Sequence, residues 1–190
     1  TFVPVSLPDL PAAAVYAILN AEAGAMFDEL VRSGGINDLS DNQVLAYLLR
    51  YDTVMGEFPG TVSADDDFLY ANGRKVAMTA EKDPGAIPWR DLGVELVVEA
   101  TGVFRSRAKL EPHLAAGARK VLLTVPAKDE IDRMIVLGVN DAELRAEDRI
   151  VSNASCTTNC LAPVAKVRHD AFGLEEGFLT TVHAYTNDQR

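Results

Sequence analysis

The chain reads as an α/β protein built on a mostly parallel sheet, and three observations carry that reading. Short apolar and β-branched runs recur at residues 94–99, 120–125, 134–139 and 149–152. Helical or polar segments separate them, which is the grammar of parallel strands covered by helices rather than of stacked hairpins. One stretch departs from this. Residues 61–81 hold two runs, Phe68-Leu69-Tyr70-Ala71 and Lys75-Val76-Ala77-Met78-Thr79, around Asn72-Gly73. Asn-Gly supplies the positive φ angles of a tight turn, so an antiparallel hairpin interrupts the parallel order.

Taken in order, residues 11–32 are alanine-rich behind Pro11, a residue suited to a first helical turn, and predict a helix with a break near Gly24. Residues 40–50 place Val44, Leu45, Leu48 and Leu49 at helical spacing behind Ser40-Asp41-Asn42, which predicts a capped helix packed on the sheet. Asp65-Asp66-Asp67 reads as a solvated turn rather than a metal site. After the strand at 94–99, Ala100-Thr101-Gly102 turns the chain into a helix over 105–116. Strands follow at 120–125, 134–139 and 149–152, with a polar segment at 128–133. A helical pattern over 161–172 and a β-type run at 178–182 complete the series. Crossovers in such sheets are right-handed in nearly all cases.

Composition narrows the function classes. With 48% apolar and 24% charged residues in 190, the chain is long enough to bury a core and divides into one or two domains. A formal charge of -10 repels phosphate backbones and anionic lipid, so neither nucleic acid nor a membrane surface is expected as a partner. No apolar run has the length of a spanning helix, and residues 11–19 have no basic flank, which predicts a cytoplasmic protein.

Two cysteines four residues apart would hold their Cβ atoms about 5–6 Å apart on a helix, wider than the roughly 3.5–4.5 Å of a disulfide. Together with three scattered histidines, His113, His169 and His183, they lack zinc-site spacing, so no metal is expected. Cys156 instead follows an apolar strand and precedes a helical pattern, where backbone N–H groups and the helix dipole stabilise a thiolate. Cys160, one turn on, reads as core packing. His183 ends the 178–182 run and is placed to return toward Cys156, lowering its pKa and accepting a proton. His113 and His169 have no such context and read as surface residues.

The block Ser152-Asn153-Ala154-Ser155-Cys156-Thr157-Thr158-Asn159-Cys160, with His183-Ala184-Tyr185-Thr186-Asn187-Asp188 downstream, resembles the phosphorylating glyceraldehyde-3-phosphate dehydrogenase family. The resemblance extends from about Ile36 to Arg190. It implies a Rossmann-like NAD-binding domain over residues 36–152 and the start of an α+β catalytic domain over 153–190. It also implies oxidation of glyceraldehyde 3-phosphate, with inorganic phosphate, to 1,3-bisphosphoglycerate in glycolysis and gluconeogenesis. Cys156 is then the nucleophile, passing through a thiohemiacetal and a thioester, and His183 the base. Ser155, Cys156, Thr157 and Thr186 contact substrate. For the cofactor, the resemblance assigns Asp38 to the adenosine ribose, where its charge disfavours a 2′-phosphate and so selects NAD over NADP. Lys82, where relatives commonly carry arginine, and Thr101, Gly102 and Thr124 at strand ends complete the cofactor set. By itself Asp38 would read as a helix cap, and Thr101, Gly102 and Thr124 as turn residues.

A dinucleotide-binding unit opens with a strand, a glycine-rich turn and a helix, about 20 residues ahead of its acidic residue. Counting back from Asp38 places that turn near residues 10–20, yet no glycine precedes Gly24. Residues 1–35 therefore form an atypical segment, read either as foreign sequence joined by a shifted reading frame or as a replacement that removes phosphate binding. Arg190 reads as a cut, since the family's chains continue well past it. Such a chain is expected to be inactive alone, and homotetrameric only when complete. The alternatives are a non-catalytic fragment or erythrose-4-phosphate dehydrogenase, against which the residues after His183 speak.

Overall fold

A computed structural model describes residues 35–52 and 56–183. The helix expected over residues 11–32 lies outside them. Strand β1 (Gly35–Asn37) leads to helix α1 (Asn42–Arg50), whose N-cap is Asp41, its carboxylate accepting from the Gln43 and Val44 amides. Leu45 and Leu49 are half-buried and Ala46 is buried against Leu69, Ala71 and Val76. Val44 and Leu48, expected on the inner face, are exposed. A short antiparallel pair, β2 (Tyr51–Asp52) and β3 (Gly56–Glu57), follows.

Strands β4 (Val62–Ala64), β5 (Phe68–Ala71) and β6 (Arg74–Thr79) form an antiparallel meander. At its second turn Asn72 and Gly73 have φ of 51° and 77°, the paired left-handed geometry the dipeptide favours. At its first turn Asp65 accepts from the Asp67 and Phe68 amides, so the acidic run is turn chemistry. Strand β1 adds in parallel to β6, giving the sheet order β1-β6-β5-β4.

The second sheet is wholly parallel. It comprises β7 (Leu96–Glu99), β8 (Lys120–Leu123), β9 (Arg133–Met134) and β10 (Ile150–Ser152), in the order β7-β8-β10-β9. Helix α2 (Arg107–Ala115) crosses from β7 to β8. Its Leu110 is buried with Trp89, Val97, Val121, Leu123 and Ile150. Residues fully buried on both faces of β8 explain the unbroken apolar run there.

Three expectations need correction. The strand forecast for 134–139 ends at Met134, because Asn140 Oδ1 takes the Val136 amide, Asn140 Nδ2 donates to the Met134 carbonyl, and Gly138 turns with φ of 74°. Helix α3 (Cys156–Phe172) begins five residues before the expected Leu161 and contains both cysteines. The run at 178–182 is not a strand: residues 173–183 lack regular structure, and no neighbouring strand among the described residues offers them hydrogen bonds.

Candidate active site

The chain enters the site through a strained corner. Ile150–Ser152 is fully buried between β8 and β9, and the Ser152 hydroxyl donates to the Val125 carbonyl while accepting the Ala154 amide. Ala154 is held at φ of 63° although it carries a Cβ, and it is 2% exposed. A left-handed non-glycine residue costs about 1–2 kcal/mol; here it swings the backbone from strand into helix within a few residues. Ser155 then caps α3, its Oγ accepting the Thr158 amide at 3.0 Å. Asn159 Nδ2 donates to the Asn153 and Ser155 carbonyls and ties the corner shut.

Cys156 is thereby the first residue of the helix, where the unpaired N–H groups and the positive end of the dipole lie. Its Sγ sits 3.3 Å from His183 Nε2. That hydrogen bond is the largest influence on the thiol and holds its pKa below the ordinary value; partial desolvation opposes it, and the Thr157 amide reinforces it. Both cysteines are free and exposed, four positions apart on one helix, so Cys160 is not the core residue expected of it. The geometry is that of an activated sulfur nucleophile with an imidazole in proton-transfer range. Thr186 lies outside the described residues.

The expected cofactor residues occupy two clusters, both at the carboxyl ends of parallel strands, where open α/β sheets bind ligands. Asp38 follows β1, is half-buried, and accepts the Ser40 amide at 2.8 Å, while its own amide pairs with the carbonyl of Thr79, the last residue of β6. The helix cap is Asp41 instead. Lys82 lies in the exposed loop after β6. Asn37, which sequence reasoning passed over, holds that loop: its Oδ1 accepts the Glu81 amide and the Thr79 hydroxyl, and its Nδ2 donates to the Glu81 carbonyl. Its signal was its place as the last residue of a strand, directly before the acid Asp38.

The second cluster follows β7 and β8. The Thr124 amide and hydroxyl both donate to the Glu99 carbonyl, and the Asn153 amide donates to the Leu123 carbonyl. Thr101, Gly102 and Thr124 thus share one sheet edge with the corner that carries Cys156. Gly102 has φ of 72° and no atom within 4 Å of where a Cβ would stand, an open cradle against which a ligand can approach the backbone. A half-buried carboxylate after β1 suits the hydroxyls of a ribose, and the open glycine turn after β7 suits close approach of a ligand to backbone. His113, expected at the surface, is buried at 3% exposure, a correction taken up below.

The site thus sets a cysteine at a helix start, with a histidine 3.3 Å away, at the carboxyl edge of a parallel sheet. The comparisons are specific. Residues 24–107 match the family model for the NAD binding domain of glyceraldehyde 3-phosphate dehydrogenase, and residues 155–190 match that for its C-terminal domain. The first match begins upstream of Ile36, where the resemblance was drawn. Glyceraldehyde-3-phosphate dehydrogenase of Thermotoga maritima is 54% identical over 155 residues, covering 82% of this chain and 46% of that protein. The Pseudomonas aeruginosa protein of that name is 51% identical over 172 residues, 90% of this chain and 51% of the relative. That of Borreliella burgdorferi is 53% identical over 160 residues, 82% and 48% respectively. The chain belongs to the glyceraldehyde 3-phosphate dehydrogenase family, whose N-terminal domain binds NAD. It spans about half the length of the curated relatives it matches. Among the described residues no helix is long and apolar enough to cross a membrane.

Proposed function

We propose that this chain carries the nucleophile-bearing part of an NAD-dependent, phosphorylating glyceraldehyde-3-phosphate dehydrogenase. The observation that supports it most is the 3.3 Å approach of Cys156 Sγ to His183 Nε2 at the start of a helix. The Cys156 thiol gives its proton to His183 and its sulfur attacks the aldehyde carbon, forming a C–S bond as the carbonyl double bond opens, and the hemithioacetal oxygen takes that proton from His183. His183 then removes that hydroxyl proton as the carbon loses hydride, leaving a thioester. NAD, when bound, accepts the hydride. Inorganic phosphate attacks the thioester carbonyl, and the Cys156 thiolate leaves with 1,3-bisphosphoglycerate released. Ser155, Thr157 and Thr186 are read as substrate contacts, hydroxyls and amides near a helix start being suited to an anion. Asp38, Lys82, Thr101, Gly102 and Thr124 are read as cofactor contacts. Residues 36–152 form the NAD-binding domain in this reading, and 153–190 open the catalytic domain of a cytoplasmic homotetramer.

The test is NADH formation from glyceraldehyde 3-phosphate and phosphate by a version extended to the length of its relatives. Cys156→Ser is expected to abolish it and Cys160→Ala to leave most of it; turnover that survives Cys156→Ser overturns the assignment. Comparing glyceraldehyde 3-phosphate with erythrose 4-phosphate settles the substrate. A second reading, a module without turnover of its own, is favoured by Phe178, which is 104% exposed, in the segment that leads to His183. A histidine on so open a segment does not by itself enclose a substrate. NADH formation by the 190-residue chain alone would end that reading.

A further inference from the structure

The turn after β7 hangs from a carboxylate that the thiol chemistry does not use. Glu99, the last residue of β7, is 4% exposed. Burying a carboxylate is costly unless donors replace water, and three donors do so here. Glu99 Oε1 accepts the Thr101 amide at 2.7 Å and the Thr101 hydroxyl at 2.5 Å. Oε2 lies 3.2 Å from Nε2 of His113, in the last turn of α2. On the far side of that ring, Trp89 Nε1 approaches Nδ1 at 3.1 Å. An indole N–H can only donate, so Nδ1 holds the lone pair, and the neutral imidazole keeps its proton on Nε2, aimed at Glu99. Burial pushes the Glu99 carboxyl up, but the hydrogen bonds from His113 and Thr101 outweigh it and hold the group ionised below its usual value.

The bonds run on outward. Thr101 Oγ1, committed as a donor to Glu99, accepts the Val103 amide at 3.1 Å, and between them Gly102 presents its open, left-handed backbone. Inward, Trp89 belongs to the main apolar cluster, and the Phe104 edge packs on the His113 ring. A turn that is exposed at its tip is thus anchored, through a tautomer fixed by Trp89, to the main apolar cluster.

We propose that Trp89, His113 and Glu99 form a buried hydrogen-bond relay that positions the Thr101-Gly102 turn to receive a dinucleotide. The three are positioning residues, and the proposal rests on the dinucleotide reading above. In the 190-residue chain labelled with nitrogen-15, long-range proton–nitrogen correlation should show His113 protonated on Nε2 and bare on Nδ1. His113→Phe and Trp89→Phe should speed amide exchange at Thr101 at least tenfold, with Val121, Leu122 and Ile150 changing less than twofold. Thr101→Ser, which keeps the hydroxyl bonds to Glu99 and Val103, should leave exchange at Val103 within twofold, whereas Thr101→Val, which removes them, should speed it. Titration with millimolar NAD should shift the Thr101 and Gly102 amides, and His113→Phe should shrink that shift at equal concentration. A proton on Nδ1, unchanged exchange at Thr101, or equal acceleration throughout the sheet would each overturn the relay. Expected exchange behaviour with no NAD shift at Thr101 or Gly102 in the unsubstituted chain would overturn the dinucleotide reading instead, leaving the relay as an anchor.

Discussion

Cys156 and Cys160 are chemically identical side chains, both exposed, on one helix, and position alone separates them. Cys156 has the helix start and His183; its thiolate therefore persists to lower pH than that of an ordinary free thiol. Iodoacetamide followed by peptide mapping should modify Cys156 first, by about tenfold on the thiolate argument. In His183→Ala the pH profile of that reaction should move upward toward the ordinary thiol value, because the lowering influence is the histidine. Equal rates at the two cysteines would remove Cys156 from the role of nucleophile. Ala154 yields a second expectation. A β-branched side chain at a buried, left-handed position adds strain to overpacking, so Ala154→Val should cost about 2–3 kcal/mol, read as a shift in the urea midpoint. Ala154→Gly should stay within about 1 kcal/mol, relief of strain being offset by the lost methyl.

Helix caps decide where the active elements begin. Asp41 satisfies two amides of α1, and Asp41→Ala should destabilise the chain by about 1 kcal/mol in thermal unfolding, with no effect on thiol reactivity. Ser155→Ala removes the corresponding bond to the Thr158 amide and should cost a similar amount, about 1 kcal/mol. It should also slow alkylation of Cys156, because a frayed first turn no longer presents aligned amides to the sulfur. A loss of stability without that slowing would show that the helix start does not activate the thiol. The loop after β6 depends in the same way on one side chain, Asn37, which fixes the backbone beside Asp38.

Across the described residues, the proposed cofactor contacts lie on two four-stranded sheets, Asp38 after a strand of one and the Thr101-Gly102 turn after a strand of the other. The glycine-rich turn that should hold the pyrophosphate is missing from the sequence, which has no glycine before Gly24. Charge-assisted hydrogen bonds contribute about 1.5–3 kcal/mol each, and a tenfold change in affinity is about 1.4 kcal/mol. Loss of two such bonds weakens NAD binding roughly a hundredfold or more. Calorimetric titration of the 190-residue chain should therefore find weak, millimolar binding, restored when residues 1–35 are replaced by a strand, glycine turn, helix and strand. Micromolar binding by the unchanged chain would refute this.

Local chemistry was legible in the residues themselves. The Asn72-Gly73 hairpin, the Asp41 cap region and the apolar strands at 94–99 and 120–125 follow from backbone preference and apolar patterning, which act over a few residues. Cys156 stood out for a different reason, the resemblance of its nine-residue block to a known family, which its place between a strand and a helix supports. The strand forecast at 134–139 failed because Asn140 reached back to the Val136 amide, a side-chain bond that no hydrophobic pattern records. The forecast at 178–182 failed because a strand exists only with a partner to complete its hydrogen bonds. His113 looked like a surface residue because the sequence around it shows no apolar stripe; Trp89, 24 positions away, and Glu99, 14 away, became its neighbours only when α2 folded over β7. Sequence by itself determined the Asn72-Gly73 turn and the Asp41 cap, and through its motif singled out Cys156 as the candidate nucleophile. Tertiary structure decided that His113 is buried, and it brought His183, which the sequence had placed toward Cys156, within 3.3 Å of the sulfur, because both depend on contacts between residues far apart in the chain.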